Sequence, residues 1–229
     1  EVDTPKGRYL AYSCHQVGAA STEVLPAVLA ATLRDLSFPK QMQWEATLDD
    51  GRGELMFGRP IRWILFLFGG QVVPFKIGRT ASVESIDVAA LQSSNFTYGH
   101  RFLGEQAGEP VKVKSFADYR AKLTERFVVL DRTERRQKIQ TALLAKAEEH
   151  GGSVDFASPT VSALLDEVSD LVECPLVVEG RFDEPFLELP REVLTTTMMH
   201  HQHFFPLAGP ENGLLPFFLA VTNTVYENS

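Results

Sequence analysis

The sequence has few cysteines and no long apolar run, and its first residues lack the pattern of a signal peptide. Cys14 and Cys174 are the only cysteines among 229 residues, and they lie far apart without a metal-binding spacing. Two isolated thiols favour a reducing, cytoplasmic setting and argue against a zinc module. The longest apolar run, Ile61 to Phe68, contains Arg62 and is far shorter than the roughly 18 to 20 residues that span a bilayer. The charged, polar start argues against a signal peptide. We therefore expect a cytoplasmic protein with no membrane partner.

Common enzyme motifs are absent as well. The chain contains no GxSxG, P-loop, GxGxxG or HExxH pattern, and neither cysteine has a partner histidine at a motif spacing. Those patterns place a nucleophile, a phosphate cradle or a zinc ligand set. We therefore predict no catalytic residue and no metal ligand in this chain.

What is present is the composition of an ordinary globular protein, with an apolar fraction of 44% and a charged fraction of 23%. The length allows one large domain or two small ones. We divide the chain into a first α+β lobe at 1–80 and a second at 81–229. Because the chain has no initiator methionine and stops without an evident terminal element, we expect a fragment of a longer protein.

The net charge of −8 is unevenly distributed. Residues 112–146 contain ten Lys and Arg against four Asp and Glu, which gives +6, whereas residues 147–193 contain two against twelve, which gives −10. Two solvated helix faces that pair with each other would explain this pattern, and so would a basic face that contacts phosphate. Both interpretations stay open at this point.

Cap and turn signals predict an α+β protein with mixed, largely antiparallel sheets and packed helices. Gly69-Gly70 joins two strand-like runs and predicts a β-hairpin at 61–77, with Pro74 at an edge or a bulge. The predicted helices begin at Ser21 or Thr22, Ser115, Asp131 and Ser158, and the other predicted strands cover 8–15, 174–180 and 216–222.

Three histidines crowd the segment TTTMMHHQHFFP, Thr195 to Pro206. A proline near each end predicts a helix, although the three threonines keep a strand possible. On a helix His200 and His203 share a face, while His201 points toward the apolar stripe. A zinc site would need a third ligand. Structural or partner-contacting histidines are therefore the preferred interpretation.

Glycine and arginine are neighbours at several places in the chain. Glycine lets the backbone approach a ligand closely, and the guanidinium binds phosphate or carboxylate in a fork. Structural ion pairs are the alternative. If the chain contacts RNA, the candidates are Arg59, Arg62, Arg79, His100 and Arg101, with Arg132, Arg135 and Arg136 as a second patch.

Seven short segments occur in an order that resembles one known family. They are SFPKQMQW (37–44), FGRPIRWILFLFGGQVVPF (57–75), GHRF (99–102), DRTERR (131–136), LLDEVSDLVECP (164–175), FDEPFLELPREVL (182–194) and HQHFFP (201–206). No segment is specific alone, but their order and spacing together are. From about Tyr9 to Asn223, the chain resembles the N-terminal portion of the β subunit of bacterial heterotetrameric glycyl-tRNA synthetases.

The resemblance carries several implications. It implies a fold similar to the B3/B4 module of the phenylalanyl-tRNA synthetase β subunit, a module that edits mischarged tRNA in that enzyme. It implies tRNA and a glycyl-tRNA synthetase α subunit as partners in an α2β2 assembly. In that family the α subunit uses ATP and Mg²⁺ to activate glycine, so the resemblance implies no cofactor in this chain.

The chain also departs from the family pattern. Gln41 and Gln43 stand where relatives carry basic residues, and His203-Phe204 stands where they carry Lys-Tyr. The third histidine is therefore a local variation. No residue matches an editing motif.

We therefore expect a non-catalytic segment of a glycine–tRNA ligase, inactive alone, which helps to assemble the enzyme and to guide tRNA. An editing hydrolase with a pocket near His100 or His201 is one alternative, and a purely structural scaffold is the other.

Overall fold

The computed structural model describes residues 2–10, 12, 14–15, 17–44, 46–48, 55–79, 90–210 and 213–224. The chain forms two compact units, the first unit at residues 1–95 and the second unit at 96–229. The lobe boundary predicted at residue 80 falls in the segment 80–89, which lies outside the described residues, and it stays a prediction. Within the described residues, no helix is long and apolar enough to cross a membrane.

Most strands precede the second α-helix, and three α-helices then follow one another before the last three strands. The α-helices are α1 Ser21–Asp35, α2 Phe116–Glu125, α3 Arg132–Glu149, α4 Pro159–Leu171 and α5 Arg191–Thr196. A 3-10 helix covers Glu184–Glu188, and a π-helical turn, Thr197–His201, continues α5. The strands are β1 Val2–Thr4, β2 Gly7–Tyr9, β3 Met42–Trp44, β4 Ala46–Leu48, β5 Leu55–Phe57, β6 Ile64–Leu65, β7 Leu67–Phe68, β8 Gln71–Val72, β9 Lys76–Arg79, β10 Leu91–Ser94, β11 Phe96–Tyr98, β12 Pro110–Lys112, β13 Leu176–Arg181, β14 Phe205–Ala208 and β15 Leu214–Thr222.

The first unit is built around a four-stranded sheet in the order β4-β9-β10-β6, in which β6 and β10 run parallel. Its buried apolar side chains come from α1, β4, β5 and the strand region around β9. They are Ala30, Ala46, Leu48, Leu55, Phe75 and Ile77. Burial of one face of α1 against the strands explains why this apolar segment folds as a helix here.

The glycine pair in the first unit forms a two-residue hairpin loop. Gly69 and Gly70 have φ angles of 57° and 81°, which a type I′ turn requires and which glycine adopts without strain. β7 and β8 pair antiparallel on either side. The inner strand expected from Ile61 to Phe68 is instead divided, because β6 pairs with β10 while β7 turns to pair with β8.

The second unit packs α3 and α4 against an antiparallel sheet in the order β13-β15-β14. Its core holds Ile139 and Leu143 of α3, Leu165 of α4, and Phe205 and Leu219 of the sheet, each 1% exposed or less. The sheet and the two helices therefore share one apolar interior.

The predicted helix starts are confirmed in the second unit. The Ser115 hydroxyl accepts a hydrogen bond from the backbone N–H of Asp118 at 3.1 Å, and the Asp131 carboxylate accepts one from Glu134 N–H at 2.9 Å. Both satisfy a donor that the first helical turn leaves free. α4 begins at Pro159, where a missing N–H costs nothing.

The strand predicted over residues 8–15 is wrong beyond Tyr9 at every described position. β2 ends at Tyr9, and Leu10 and Tyr12 are 89% and 90% exposed. An apolar, aromatic run favours a strand only where a neighbouring strand and a core receive it. Taken as a whole, the predicted α+β class with mostly antiparallel sheets is confirmed, whereas the finer likeness to a B3/B4 module stays a prediction.

Candidate functional site

The GHRF turn of the second unit places His100 inside the protein. The ring is 1% exposed, and its Nδ1 accepts hydrogen bonds from the backbone N–H groups of Phe102 and Leu103, both at 3.2 Å. The backbone N–H of His100 donates to the carbonyl oxygen of Arg126 at 2.8 Å. His100 thus ties the turn to the end of α2. A buried ring is a poor first contact for RNA.

Two glycines make this tight turn possible. A Cβ on Gly99 would collide with the Cβ and the carbonyl oxygen of Arg126. Gly104 has φ +83°, and a Cβ there would lie 2.7 Å from the ring of Phe127. The sequence pattern of glycine beside the GHRF segment therefore reflects close packing of the backbone against the α2 terminus.

A cavity of about 340 Å³ opens beside this turn. Its lining residues are His100, Leu103, Gly104, Glu105, Gln106, Glu125, Arg126 and Phe127. The guanidinium of Arg126 donates to the carbonyl oxygens of Gln106 and Glu109, both at 3.2 Å. Arg126 therefore serves the loop and is not free to bind a ligand.

Arg101 and Phe102 lie on the outside of the same turn. Arg101 is exposed, and its guanidinium carbon lies 5.3 Å from the centre of the Phe102 ring. That ring is 67% exposed. An exposed guanidinium beside an exposed aromatic ring can contact a phosphate and a base of the same nucleotide chain.

The first-unit candidates are also on the surface. Arg59 and Arg62 are exposed, on either side of Pro60. Neither makes an ion pair within the described part of the chain. Arg79 ends β9, and its side chain lies outside the described residues.

The arginines of the second predicted patch bond to other groups of the same chain. Arg132 binds Asp170 through two hydrogen bonds, at 2.7 and 3.1 Å, and Arg136 donates to Asp166 at 2.9 Å. Arg135 donates to the carbonyl oxygens of Ser169, Val129 and Leu130 at 3.0, 2.8 and 2.9 Å. The basic face of α3 thus pairs with the acidic α4, which is one of the two interpretations that the charge distribution left open. A role of these arginines in RNA contact stays a prediction, and it would have to compete with these bonds.

Acid is expected to weaken the contacts of α3. The Arg132 guanidinium lowers the pKa of Asp170 from its ordinary 3.8 by donating hydrogen bonds to it, and His150 lowers the pKa of Glu179 from its ordinary 4.5 in the same way. Stability from a lowered pKa is present above the unfolded-state value and is lost as the pH falls through the folded-state value. We expect the urea concentration at the midpoint of unfolding to decrease as the pH is lowered below about 4.5. Asp170→Asn combined with Glu179→Gln should make this decrease smaller. An unchanged acid slope in the double variant would contradict this assignment.

The histidine-rich segment folds as a helix, as predicted. α5 widens into the π-helical turn, and His203 follows it with φ +56°. His200 and His203 line one cleft of about 440 Å³ together with Glu167 of α4. His203 lies beyond the end of the helix, however, so the two histidines do not share a helix face as predicted. His203 Nδ1 lies 3.5 Å from the Glu167 carboxylate without a hydrogen bond. His201 is exposed and lies outside the lining of this cleft, so the prediction that it points toward the apolar stripe is wrong.

The described residues contain no group of three or more His, Cys, Asp or Glu side chains placed to hold a metal ion. Both cysteines are free.

Sequence reasoning missed the aromatic and acidic partners of His100. Phe127 adopts φ +59°, and it reaches the His100 cavity from the far end of α2 together with Glu125. The sequence gives no sign of a left-handed phenylalanine, because this conformation is rare outside glycine, asparagine and aspartate. The neighbouring Arg101 and Phe102 are visible in the sequence, and both side-chain types can stack on unpaired bases.

Comparison with known proteins places the whole chain in one family. The family profile described as the glycyl-tRNA synthetase beta subunit matches residues 1–229. The chain is 40% identical over 228 residues to the glycine–tRNA ligase beta subunit of Solidesulfovibrio magneticus. It is 39% identical over 217 residues to that of Moorella thermoacetica, and 37% identical over 224 residues to that of Syntrophus aciditrophicus.

These alignments cover 99%, 95% and 98% of this chain but only 29%, 28% and 29% of the three relatives. The chain therefore spans less than a third of the length of the curated relatives it matches. Because the family profile covers every residue of the sequence and the identities lie between 37% and 40% over nearly the whole chain, the chain belongs to the glycyl-tRNA synthetase beta subunit family.

Proposed function

We propose that this chain is a non-catalytic segment of a glycine–tRNA ligase β subunit that positions tRNA and supports assembly of the enzyme. The observation that carries the proposal is the family match over residues 1–229. The ligase attaches glycine to tRNA at the expense of ATP. In this proposal ATP and Mg²⁺ bind to the separate α subunit, the two subunits form an α2β2 assembly in the cytoplasm, and this segment contributes position instead of chemistry. A fold of the B3/B4 kind belongs to the same proposal.

The surface arginines support contact with tRNA. Arg59, Arg62 and Arg101 are exposed. Within the described residues, one of the three makes a cation–π contact: Arg101 lies over the ring of Phe102. A guanidinium that is not engaged by a carboxylate can bind phosphate without first breaking an ion pair. We therefore assign the tRNA contact to these three residues ahead of Arg132, Arg135 and Arg136.

Removing the three exposed arginines is expected to weaken tRNA binding. In the reconstituted α2β2 enzyme, Arg59→Ala, Arg62→Ala and Arg101→Ala together should raise the Kd for tRNA. The slope of log Kd against log salt should fall by about 0.7 to 0.9 per lost phosphate contact. The measurement is fluorescence anisotropy of labelled tRNA across a salt series.

A charge-matched control is available on the same chain. Arg120, Lys138 and Arg181 each pair with a glutamate, and their replacement by Ala removes the same charge from sites outside the proposed contact. If both triple variants lose the same affinity for tRNA, the loss comes from the change in net charge, and the assignment of the contact to Arg59, Arg62 and Arg101 is wrong.

A structural scaffold is the second candidate function. The internal pairing of the α3 arginines with α4 favours it, and so does the net charge of −8. Two assays distinguish the scaffold from the positioning of tRNA. Glycine activation and glycine transfer to tRNA are each measured for the enzyme with and without this segment. Loss of transfer while activation and assembly persist supports the positioning of tRNA, whereas loss of assembly supports the scaffold. If activation and transfer both survive, hydrolysis of mischarged tRNA is the activity to measure next.

A further inference from the structure

His100 carries one buried hydrogen-bond donor that nothing in the described chain uses. Its Nδ1 accepts two backbone N–H bonds, so Nδ1 holds a lone pair and the proton of the neutral ring is on Nε2. Nε2 is buried and has no hydrogen-bond partner among the described residues. Since buried donors are nearly always paired, this one favours a ligand that supplies an acceptor.

The cavity beside His100 has the size and one wall of a ligand site. Its volume of about 340 Å³ lies within the roughly 300 to 1,000 Å³ range of small-molecule pockets. Phe127 forms part of the lining in a left-handed conformation that bulky residues rarely adopt. Backbone strain of this kind concentrates at ligand sites. Gly104 lets the Phe127 ring pack close to the backbone, and Phe127 is 44% exposed, so part of it is open to a flat ligand.

The charges of the lining select the kind of ligand. Glu105 and Glu125 contribute carboxylates, while the guanidinium of Arg126 is engaged by Gln106 and Glu109. A phosphate or carboxylate ligand would meet two carboxylates, and the Arg126 N–H groups that could bind it already donate to backbone carbonyl oxygens. An amino group would instead find an acceptor. The cavity thus favours a flat ring that carries both an acceptor nitrogen and an amino group.

We propose that the His100 cavity binds an unstacked adenine or cytosine of an RNA strand. This inference rests on the proposed function, in which the segment contacts tRNA. The Watson–Crick edge of either base places a ring-nitrogen acceptor beside an exocyclic amine, the first for His100 Nε2–H and the second for a carboxylate of the lining. The base face stacks on Phe127, and the adjoining Arg101 is exposed and binds the phosphate. Uracil presents a donor and a carbonyl oxygen at the same two positions, so it is disfavoured. Because Nε2 is covered, a base reaches it only with a shift of the lining.

The conservative variant His100→Asn separates the two roles of the ring. The Asn Oδ1 stands in for Nδ1 and keeps the bonds to Phe102 and Leu103, while the Nε2–H donor is removed. In the reconstituted α2β2 enzyme, we measure the Kd of labelled r(A)8, r(C)8 and r(U)8 by anisotropy. Wild type should bind r(A)8 and r(C)8 more tightly than r(U)8. His100→Asn should weaken r(A)8 and r(C)8 by about three- to tenfold, the range for one hydrogen bond, and leave r(U)8 unchanged. His201→Asn, the same change at an exposed histidine outside both cavities, should alter none of the three.

A second variant keeps the test independent of folding at the buried turn. Glu125 is exposed, so Glu125→Gln should fold normally and reduce the preference for r(A)8 and r(C)8 over r(U)8. Equal binding of the three oligonucleotides by wild type would overturn the proposal, as would an unchanged preference in both variants. If the triple arginine variant loses tRNA affinity while these variants behave as wild type, the proposed function stands and the base pocket fails. If the triple arginine variant keeps full tRNA affinity, the proposed contact of this segment with tRNA is wrong.

Discussion

Replacing Phe205 by Ala is expected to lower the free energy of unfolding of the second unit by about 3 to 5 kcal/mol. Phe205 begins β14, is fully buried, and faces Leu219 of the neighbouring strand. Its ring belongs to the core that α3, α4 and the sheet share. Truncation removes the burial of the ring and leaves a cavity that packed helices fill only in part. Urea denaturation of the 229-residue chain, followed by circular dichroism, measures the change.

Phe186→Ala is the matched control for Phe205→Ala. Phe186 lies in the 3-10 helix and is 51% exposed, so the same truncation should change the free energy of unfolding by less than about 1 kcal/mol. An equal decrease in the free energy of unfolding for the two variants would mean that Phe205 does not belong to the core of the second unit.

Replacing Arg135 by Ala is expected to destabilise the second unit by about 1.5 to 3 kcal/mol, the range for hydrogen bonds that involve a charged group. Its guanidinium donates to the carbonyl oxygens of Val129, Leu130 and Ser169. The Ser169 carbonyl lies in the last turn of α4, where carbonyls have no partner within the helix. Arg135 thus joins the start of α3 to the end of α4. The side chain is only partly buried, so solvent recovers some of the loss.

Arg135→Lys distinguishes a structural role from phosphate binding. Lysine keeps the charge but cannot serve three carbonyls through a planar fork, so its stability should lie between those of wild type and the Ala variant. If Arg135 is structural, folded Arg135→Ala enzyme should bind tRNA with the wild-type Kd at a temperature well below its unfolding transition. Full stability combined with weaker tRNA binding would instead restore the second patch predicted from the sequence.

Local signals in the sequence were enough to predict several elements. The caps at Ser115 and Asp131 need only the backbone of the next turn, so their spacing identifies α2 and α3 directly. Gly69-Gly70 predicts its hairpin for the same reason, because the turn requires φ angles that glycine adopts freely. The strand predicted from residue 8 to 15 failed, because a strand needs a partner that the sequence does not reveal. The family could be inferred from the order of seven segments, and the profile match confirms it.

The sequence by itself determined the family, the α+β class and the helix starts, because these depend on neighbours within a few residues or on similarity along the chain. The tertiary structure alone decided which basic residues are accessible. Arg101 and Arg135 are alike in sequence terms, yet one lies exposed beside Phe102 while the other donates to three carbonyls. It also decided that His100 is buried with Nδ1 as an acceptor and that Phe127 joins its cavity. Burial and hydrogen-bond partners depend on residues far apart in the chain, and only the folded packing brings these together.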